Sequence, residues 1–243
     1  MRSVTARNIG RVTRSAAAFL MCCLSGEVFG TTYNDATGDG SFVTTFPHLD
    51  IASVDVTTSA THISFSINFV GDPIATNWGE YQISIDSILG GTTSGNVPPN
   101  RPYSMSSGMD YYIRSWDSGA EVYRWDAAGS FWALDHATWQ ASPGVFSPTK
   151  TTSSVTLTTT LAALGLSMGD SFDFDAWSAG GTPSDGAFDV LANPNPTLFG
   201  EDFLSPYDAG TNVYSYTVVP EPSTMALGLF SVTALLMRRK GNG

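Results

Sequence analysis

The chain has 243 residues and an acidic composition, with a formal net charge of −11 at pH 7 and only two cysteines. Between positions 31 and 219 there are four basic and twenty acidic residues, which leaves this central region with a net charge of −16. A region this negative repels phosphate backbones, which argues against nucleic acid as a partner. Both cysteines lie among the first 30 residues, which argues against disulfides and cysteine-ligated metals in the rest of the chain.

Residues 1–30 have the three parts of a secretory signal peptide. Four arginines precede an apolar stretch at residues 16–24, and Val28 and Gly30 then occupy the −3 and −1 positions of a cleavage site. We therefore expect export, with cleavage after Gly30. A lipoprotein signal at Cys22 or Cys23 is disfavoured, because Met21 stands where a small residue is needed.

The central region, residues 31–217, predicts an all-β domain. It is rich in Thr, Ser, Gly and aromatic residues, and short alternating runs recur between turn-forming clusters. The cleanest run places Ile63, Phe65, Ile67 and Phe69 on one face. Strands are predicted at residues 51–57, 62–70, 80–85, 111–116, 121–125, 154–160, 171–178 and 213–218. Many short strands with one apolar face indicate a β-sandwich of jelly-roll type, with an irregular β-barrel as the alternative.

One short helix is predicted inside this domain. Thr182 can act as its N-cap, with Pro183 at the first helical position and Asp185 at the third. We expect this helix to continue through Leu191 and to stop at residues 193–194.

Two groups of acidic residues are candidates for ligand or metal binding. Asp173, Asp175 and Trp177 alternate along a predicted strand, so they share one face, with the carboxylates roughly 7 Å apart. This pair suits a glycosidase, a Ca²⁺ site, or a sugar site in which Trp177 stacks on the sugar; the alternative is the solvated face of an edge strand. Asp35 and Asp39 lie in a glycine-containing loop that suits Ca²⁺ or, alternatively, a local turn.

Several motifs of the central region are similar to DOMON-like and family-nine-like carbohydrate-binding jelly rolls. They are the Asp-Ala-Thr-Gly-Asp loop at 35–39, the Asp-Ile strand start at 50–51, the Trp-Gly-Glu-Tyr motif at 78–81 that runs into Ile85 and Asp86, and the Gly-Asp-Ser-Phe-Asp-Phe-Asp run at 169–175. The resemblance implies a jelly-roll fold and carbohydrate binding.

The last 26 residues, 218–243, have a motif, an apolar run and a basic end. The motif is Val219, Pro220, Glu221, Pro222, Ser223 and Thr224, and the closing cations are Arg238, Arg239 and Lys240. An apolar run that ends in cations is typical of a membrane segment held on the cytoplasmic side. A helix that starts at Pro222 comes close to the roughly 20 residues that a span needs. The alternative is a buried C-terminal helix of the domain.

This order of parts resembles the PEP-CTERM sorting signal of Gram-negative bacteria. The resemblance implies an exosortase that cuts near the Pro-Glu-Pro motif and releases or re-anchors the protein. The expected partners are therefore the exosortase and the secretion machinery. The protein would be anchored in the membrane by its C-terminus at first, and would then reach the cell surface or the extracellular space.

Taken together, the sequence predicts an exported surface or extracellular-matrix protein with a non-catalytic β-sandwich. The expected ligand is carbohydrate, Ca²⁺ is the cofactor that the acidic residues suit, and no catalytic residue is assigned. Two alternatives stay open: a secreted glycan hydrolase that uses Asp173 and Asp175, and a structural matrix protein without a ligand.

Overall fold

The computed structural model describes residues 29–39, 45–93, 96–140, 144–193 and 206–219, and these segments form an almost entirely β structure. In chain order, the strands in these segments are β1 Phe29–Asn34, β2 Ile51–Thr58, β3 His62–Phe69, β4 Glu80–Asp86, β5 Tyr103–Ser104, β6 Tyr111–Ser115, β7 Ala120–Asp126, β8 Phe131–Ala137, β9 Phe146–Lys150, β10 Ser154–Thr160, β11 Ser171–Ala179, β12 Ala187–Val190, β13 Tyr207–Asp208 and β14 Tyr214–Thr217. The eight predicted strands are confirmed, each within one or two residues at its ends.

Two antiparallel sheets form a sandwich, as predicted. The first has the order β1-β2-β3-β10-β9. The second has the order β12-β11-β4-β6-β7-β8, and β14 pairs with the first half of β11, beside the half that pairs with β12. A short parallel pair, β5 and β13, forms a separate two-stranded sheet.

The main core lies between the two sheets and follows from the alternation of the strands. On β3, Ile63, Phe65 and Ile67 have no exposed surface, whereas the residues between them are partly exposed. Phe65 meets Phe174 of the second sheet with ring centroids 5.6 Å apart. Burial of large apolar side chains is the main favourable contribution to folding, since each contributes about 1.5–3 kcal/mol.

A second core covers the opposite face of the second sheet. Trp177, Tyr112 and Val190 point to this face and are fully buried beneath residues that include Tyr103 and Met109. The covering residues come from the chain between β4 and β6 and from the segment around β13. The central strands of this sheet are therefore buried on both faces.

The prediction of a short helix from Thr182 to Leu191 is wrong. Residues 187–190 form β12, which pairs with the second half of β11 through Trp177–Val190 and Ser178–Asp189. The polar residues that suggested a helix cap form a turn, in which the Thr182 N–H donates to Asp185 Oδ2 at 3.0 Å. Pairing with β11 thus overrides the local preference for a helix. The described helical element is a 3-10 turn at Leu161–Leu164.

Most of the two predicted terminal signals lies outside the described residues, which begin at 29 and end at 219. The predicted cleavage position after Gly30 falls within β1, whose residues pair with β2. The sorting motif from Pro220 onward, the apolar run and the basic end are not among the described residues. Within the described ranges, none of the helical structure is long and apolar enough to cross a membrane.

Candidate metal centre

Four aspartates from three separate segments converge at one edge of the sandwich. Asp35 and Asp39 follow β1, Asp50 directly precedes β2, and Asp189 lies on β12. β1 and β2 belong to the first sheet and β12 to the second. The site therefore joins the two layers of the fold.

The spacing of three of these carboxylates suits one shared cation. Asp39, Asp50 and Asp189 each place a carboxylate oxygen within 4.8 Å of the others. Two oxygens that ligate one Ca²⁺ ion at its usual distances of about 2.3–2.6 Å can lie up to about 5 Å apart. Oxygen-only ligands of this kind favour a hard cation over zinc or copper.

Backbone donors fix the orientation of two of the carboxylates. Asp189 Oδ2 accepts the Ile51 N–H at 2.6 Å, and Oδ1 accepts the Val190 N–H at 2.8 Å. Both oxygens of Asp50 lie 3.2 Å from the Gly38 nitrogen. Gly38 has a φ of +80°, a left-handed conformation that glycine adopts without a steric penalty. Because a carboxylate oxygen has two lone pairs, these groups can still bind a cation.

The electrostatics of the cluster favour a bound positive charge. Burial, followed by the charges of neighbouring aspartates, raises the pKa of Asp189 from 3.8 to about 8. Burial, then the charges of Asp189 and Asp39, raises the pKa of Asp35 to about 9. The pKa of Asp50 is also raised, mainly by burial. No arginine or lysine is among the main contributors to these shifts.

Three of the described basic side chains are engaged away from the cluster. Arg101 is fully buried and forms an ion pair with Glu80 at 2.8 Å, Arg114 pairs with Glu121 at 2.7 Å, and Lys150 donates to a backbone carbonyl. No ion pair between described residues joins Asp35, Asp50 or Asp189 to an arginine or lysine.

One oxygen of the cluster has no donor to satisfy it. Asp35 Oδ1 accepts the Ala36 N–H at 2.8 Å. Its other oxygen, Oδ2, is shielded from solvent and has no hydrogen-bond partner. A buried polar atom without a partner is unfavourable, and a cation bound by the neighbouring carboxylates would satisfy this one.

Asp173, Asp175 and Trp177 do share one face of β11, but they do not form an open surface. The strand lies inside the sheet, with β4 on one side and β12 and β14 on the other. Trp177 has no exposed surface, and its ring stacks on Tyr103 at a centroid distance of 4.5 Å. In this structure the indole presents no face to a sugar.

The two carboxylates of that group have different surroundings. Asp175 is fully buried, where its oxygens accept the Tyr103 hydroxyl at 2.7 Å and the Ala192 N–H at 3.1 Å. Burial raises the pKa of Asp175 to about 7, and its charge contributes to the raised pKa of Asp35. Asp173 accepts a hydrogen bond from the Ser215 hydroxyl. The structure thus buries Asp175 beneath Tyr103, whereas Asp173 bonds to Ser215 of β14.

Asp50 and Asp189 were not assigned to a site by the sequence. Asp189 interrupts an otherwise apolar segment, Ala187–Val190, and is fully buried. A charged residue inside such a strand is a signal for a paired or liganded carboxylate. Asp50 carries a weaker signal, because an aspartate before a strand is common in turns.

No protein-family model matches this chain, and no curated protein sequence matches it significantly.

Proposed function

We propose that this chain is an exported, non-catalytic surface protein whose β-sandwich binds Ca²⁺ through Asp35, Asp39, Asp50 and Asp189. The observation that carries the proposal is the convergence of carboxylate oxygens from Asp39, Asp50 and Asp189, together with the pKa values that burial raises at Asp35, Asp50 and Asp189. The wide, oxygen-only arrangement suits Ca²⁺ better than Mg²⁺, because Mg²⁺ demands short distances and keeps several waters.

The bound ion would connect the two sheets. Asp50 opens β2 of the first sheet, and Asp189 lies on β12 of the second. At this point the sheets are already joined by the hydrogen bond from the Ile51 N–H to Asp189. A cation that ligates both carboxylates adds a strong contact at the same point, in a domain without cysteines after residue 30.

Metal binding can be measured by calorimetry of the purified protein, and Asp35→Asn is the cleanest variant. The amide keeps the oxygen that accepts the Ala36 N–H and places its NH₂ group where Oδ2 lacks a partner. We expect Ca²⁺ binding in the parent and an affinity at least about tenfold lower in the variant, since ligand charge tunes the affinity of calcium sites.

The matched control is Asp126→Asn. Asp126 also accepts backbone N–H groups through one oxygen, those of Ala128 and Gly129 in the turn between β7 and β8. This variant should bind Ca²⁺ as the parent does. Equal affinities in the parent and Asp35→Asn, or no heat of binding in the parent, would contradict the calcium proposal.

The terminal patterns support the proposed export and sorting. The basic, apolar and small-residue parts of residues 1–30 fit a signal peptide. The Pro-Glu-Pro motif, apolar run and closing cations fit an exosortase signal. Mass spectrometry of the protein from cell fractions should find an N-terminus at Thr31 and a C-terminus near the Pro-Glu-Pro motif. Recovery of the intact chain from the cytosol would contradict this part of the proposal.

Carbohydrate is the proposed ligand of the domain besides Ca²⁺. Asp175 and Trp177 are fully buried, which supports a non-catalytic role and directs the search for a sugar site to other surfaces. Turnover of a polysaccharide that is abolished in both Asp173→Asn and Asp175→Asn would instead favour the hydrolase alternative. No heat of binding with either Ca²⁺ or glycans would favour a purely structural matrix protein.

A further inference from the structure

A cleft of about 330 Å³ opens between the turn that joins β6 to β7 and the edge strand β9. It lies on residues outside the carboxylate cluster. The lining residues used below are Ile74, Ser115, Trp116, Asp117, Pro148 and Lys150. Volumes of this size, with a few polar groups among apolar ones, are typical of small-ligand sites.

Trp116 gives this cleft an aromatic side, called here the aromatic wall. The Trp116 ring is fixed by the Arg114 guanidinium, 4.6 Å from its centroid, and by Gly119, where an added Cβ would lie 2.6 Å from the ring. Trp139 lies outside the cleft lining but extends this aromatic surface, with its ring centroid 5.9 Å from that of Trp116, and it is 59% exposed. Ile74 at the rim is also exposed. The fold thus holds an aromatic surface in water next to a cavity.

Polar groups at the same cleft have hydrogen-bond donors or acceptors that are still available to a ligand. The Ser115 hydroxyl is fully buried and has no hydrogen-bond partner. Lys150 Nζ donates to the Trp116 carbonyl at 2.7 Å, which leaves two of its three donors. Asp117 is exposed and offers a carboxylate acceptor. A buried hydroxyl without a partner beside a cavity points to a ligand with hydrogen-bonding groups of its own.

We propose that this cleft binds a neutral oligosaccharide, with the C–H face of one sugar ring against the Trp116–Trp139 wall and its hydroxyls on Ser115, Asp117 and Lys150. The inference rests on the proposed carbohydrate-binding function and specifies its site. A sugar combines a flat apolar face with a dense ring of hydroxyls, which matches the pairing of indoles with donors and acceptors. A neutral glycan suits a domain of net charge −16, which repels polyanions.

The test is calorimetric titration of the whole purified protein, in Ca²⁺-containing buffer, with cellohexaose, xylohexaose, laminarihexaose and mannohexaose. At least one should bind, with quenching of tryptophan fluorescence. Trp139→Ala should lower the affinity at least about tenfold, as expected for an aromatic anchor at a binding hot spot. Because Trp139 is largely exposed, this variant should fold normally. Ser115→Ala should also weaken binding, through the lost hydrogen bond.

Phe131→Ala is the matched control. Phe131 is 52% exposed and lies at the far end of β8 from Trp139. Its loss removes similar exposed apolar surface and should leave binding unchanged. Binding that survives Trp139→Ala intact would overturn this site while leaving carbohydrate binding in place. Failure of all four sugars to bind, or binding of an anionic polygalacturonate in their place, would overturn the inference. The calorimetric titration with Ca²⁺ measures metal binding separately, so its result does not depend on any of these outcomes.

Discussion

The stability of the metal-free protein should fall as the pH rises, and Ca²⁺ should remove this dependence. In the folded protein, the pKa of Asp189 is about 8 and that of Asp35 about 9, against an ordinary value of 3.8. The folded state therefore binds protons that the unfolded state releases. For groups whose pKa is raised in this way, stability is greatest below the ordinary pKa and declines up to the folded pKa, here between about pH 4 and pH 9.

Asp189 alone gives a usable magnitude, because its side chain is fully buried. A pH of 7 lies about three units above the ordinary pKa of an aspartate, and each unit corresponds to about 1.4 kcal/mol. The metal-free fold should thus be less stable at pH 7 than at pH 4 by on the order of 4 kcal/mol from this group. For a domain of this size, that corresponds to a Tm lower by on the order of 10 °C.

Differential scanning calorimetry across this pH range, with a chelator or with millimolar Ca²⁺, measures the effect. The difference in Tm between the two conditions should be small near pH 4 and should grow toward pH 8, where the carboxylates are ready to bind the ion. With the chelator, Asp35→Asn should be more stable than the parent at pH 7, because asparagine is neutral without the proton that Asp35 must take up on folding. A metal-free Tm that is level or rises from pH 5 to pH 8 would refute the reasoning.

Three further substitutions test other contacts of the fold. Arg101→Met should lower the free energy of unfolding by about 3–5 kcal/mol in urea denaturation, because Glu80 then remains buried without its closest cation; a change below 1 kcal/mol would contradict this. Gly38→Ala should weaken Ca²⁺ binding and destabilise the loop by about 1–2 kcal/mol, since its φ is +80°; unchanged calorimetry would count against the loop's role. Tyr103→Phe should destabilise by about 1–3 kcal/mol by depriving buried Asp175 of its hydroxyl donor, and an unaltered denaturation midpoint would argue otherwise.

The alternation of apolar residues was sufficient to predict the central strands but not all the edges. β3 and β10 alternate cleanly, because one face packs in the core and the other faces water. β9 escaped prediction because Pro148 interrupts it, and proline is tolerated there since the strand lies at the edge of its sheet. β12 was mistaken for a helix because its cap-like residues belong to the preceding turn.

Burial of the second sheet on both faces was not predictable at the first candidate site, Asp173, Asp175 and Trp177. Alternation correctly put Asp173, Asp175 and Trp177 on one face, yet it carries no information on what covers that face. Tyr103, more than 70 positions earlier in the chain, packs against Trp177 and donates to Asp175. Such a cover is a tertiary contact between distant segments, which a local pattern cannot reveal.

The same limit applies to the carboxylate cluster. Asp35 and Asp39 were identifiable because they share one loop, whereas Asp50 joins them through the pairing of β1 with β2 and Asp189 through the stacking of the two sheets. The hydrogen bond from Ile51 to Asp189 spans 138 positions of sequence. Residues that share no local motif can thus form one acidic cluster. The sequence indicated its negative charge only through the overall excess of acidic residues.

The proposed calcium centre and the proposed export support each other on physical grounds. Without the ion, Asp35 and Asp189 must take up protons where the two sheets meet, so the metal-free chain should fold less stably at neutral pH. Calcium sites of extracellular modules work at about 10⁻⁴–10⁻³ M, far above the range of cytosolic sensors. A chain with such a site would gain its full stability only after it leaves the cell, since ligand binding to the folded state alone shifts the folding equilibrium. The carboxylates that lower the stability of the metal-free fold before export would then raise it outside the cell, by binding Ca²⁺.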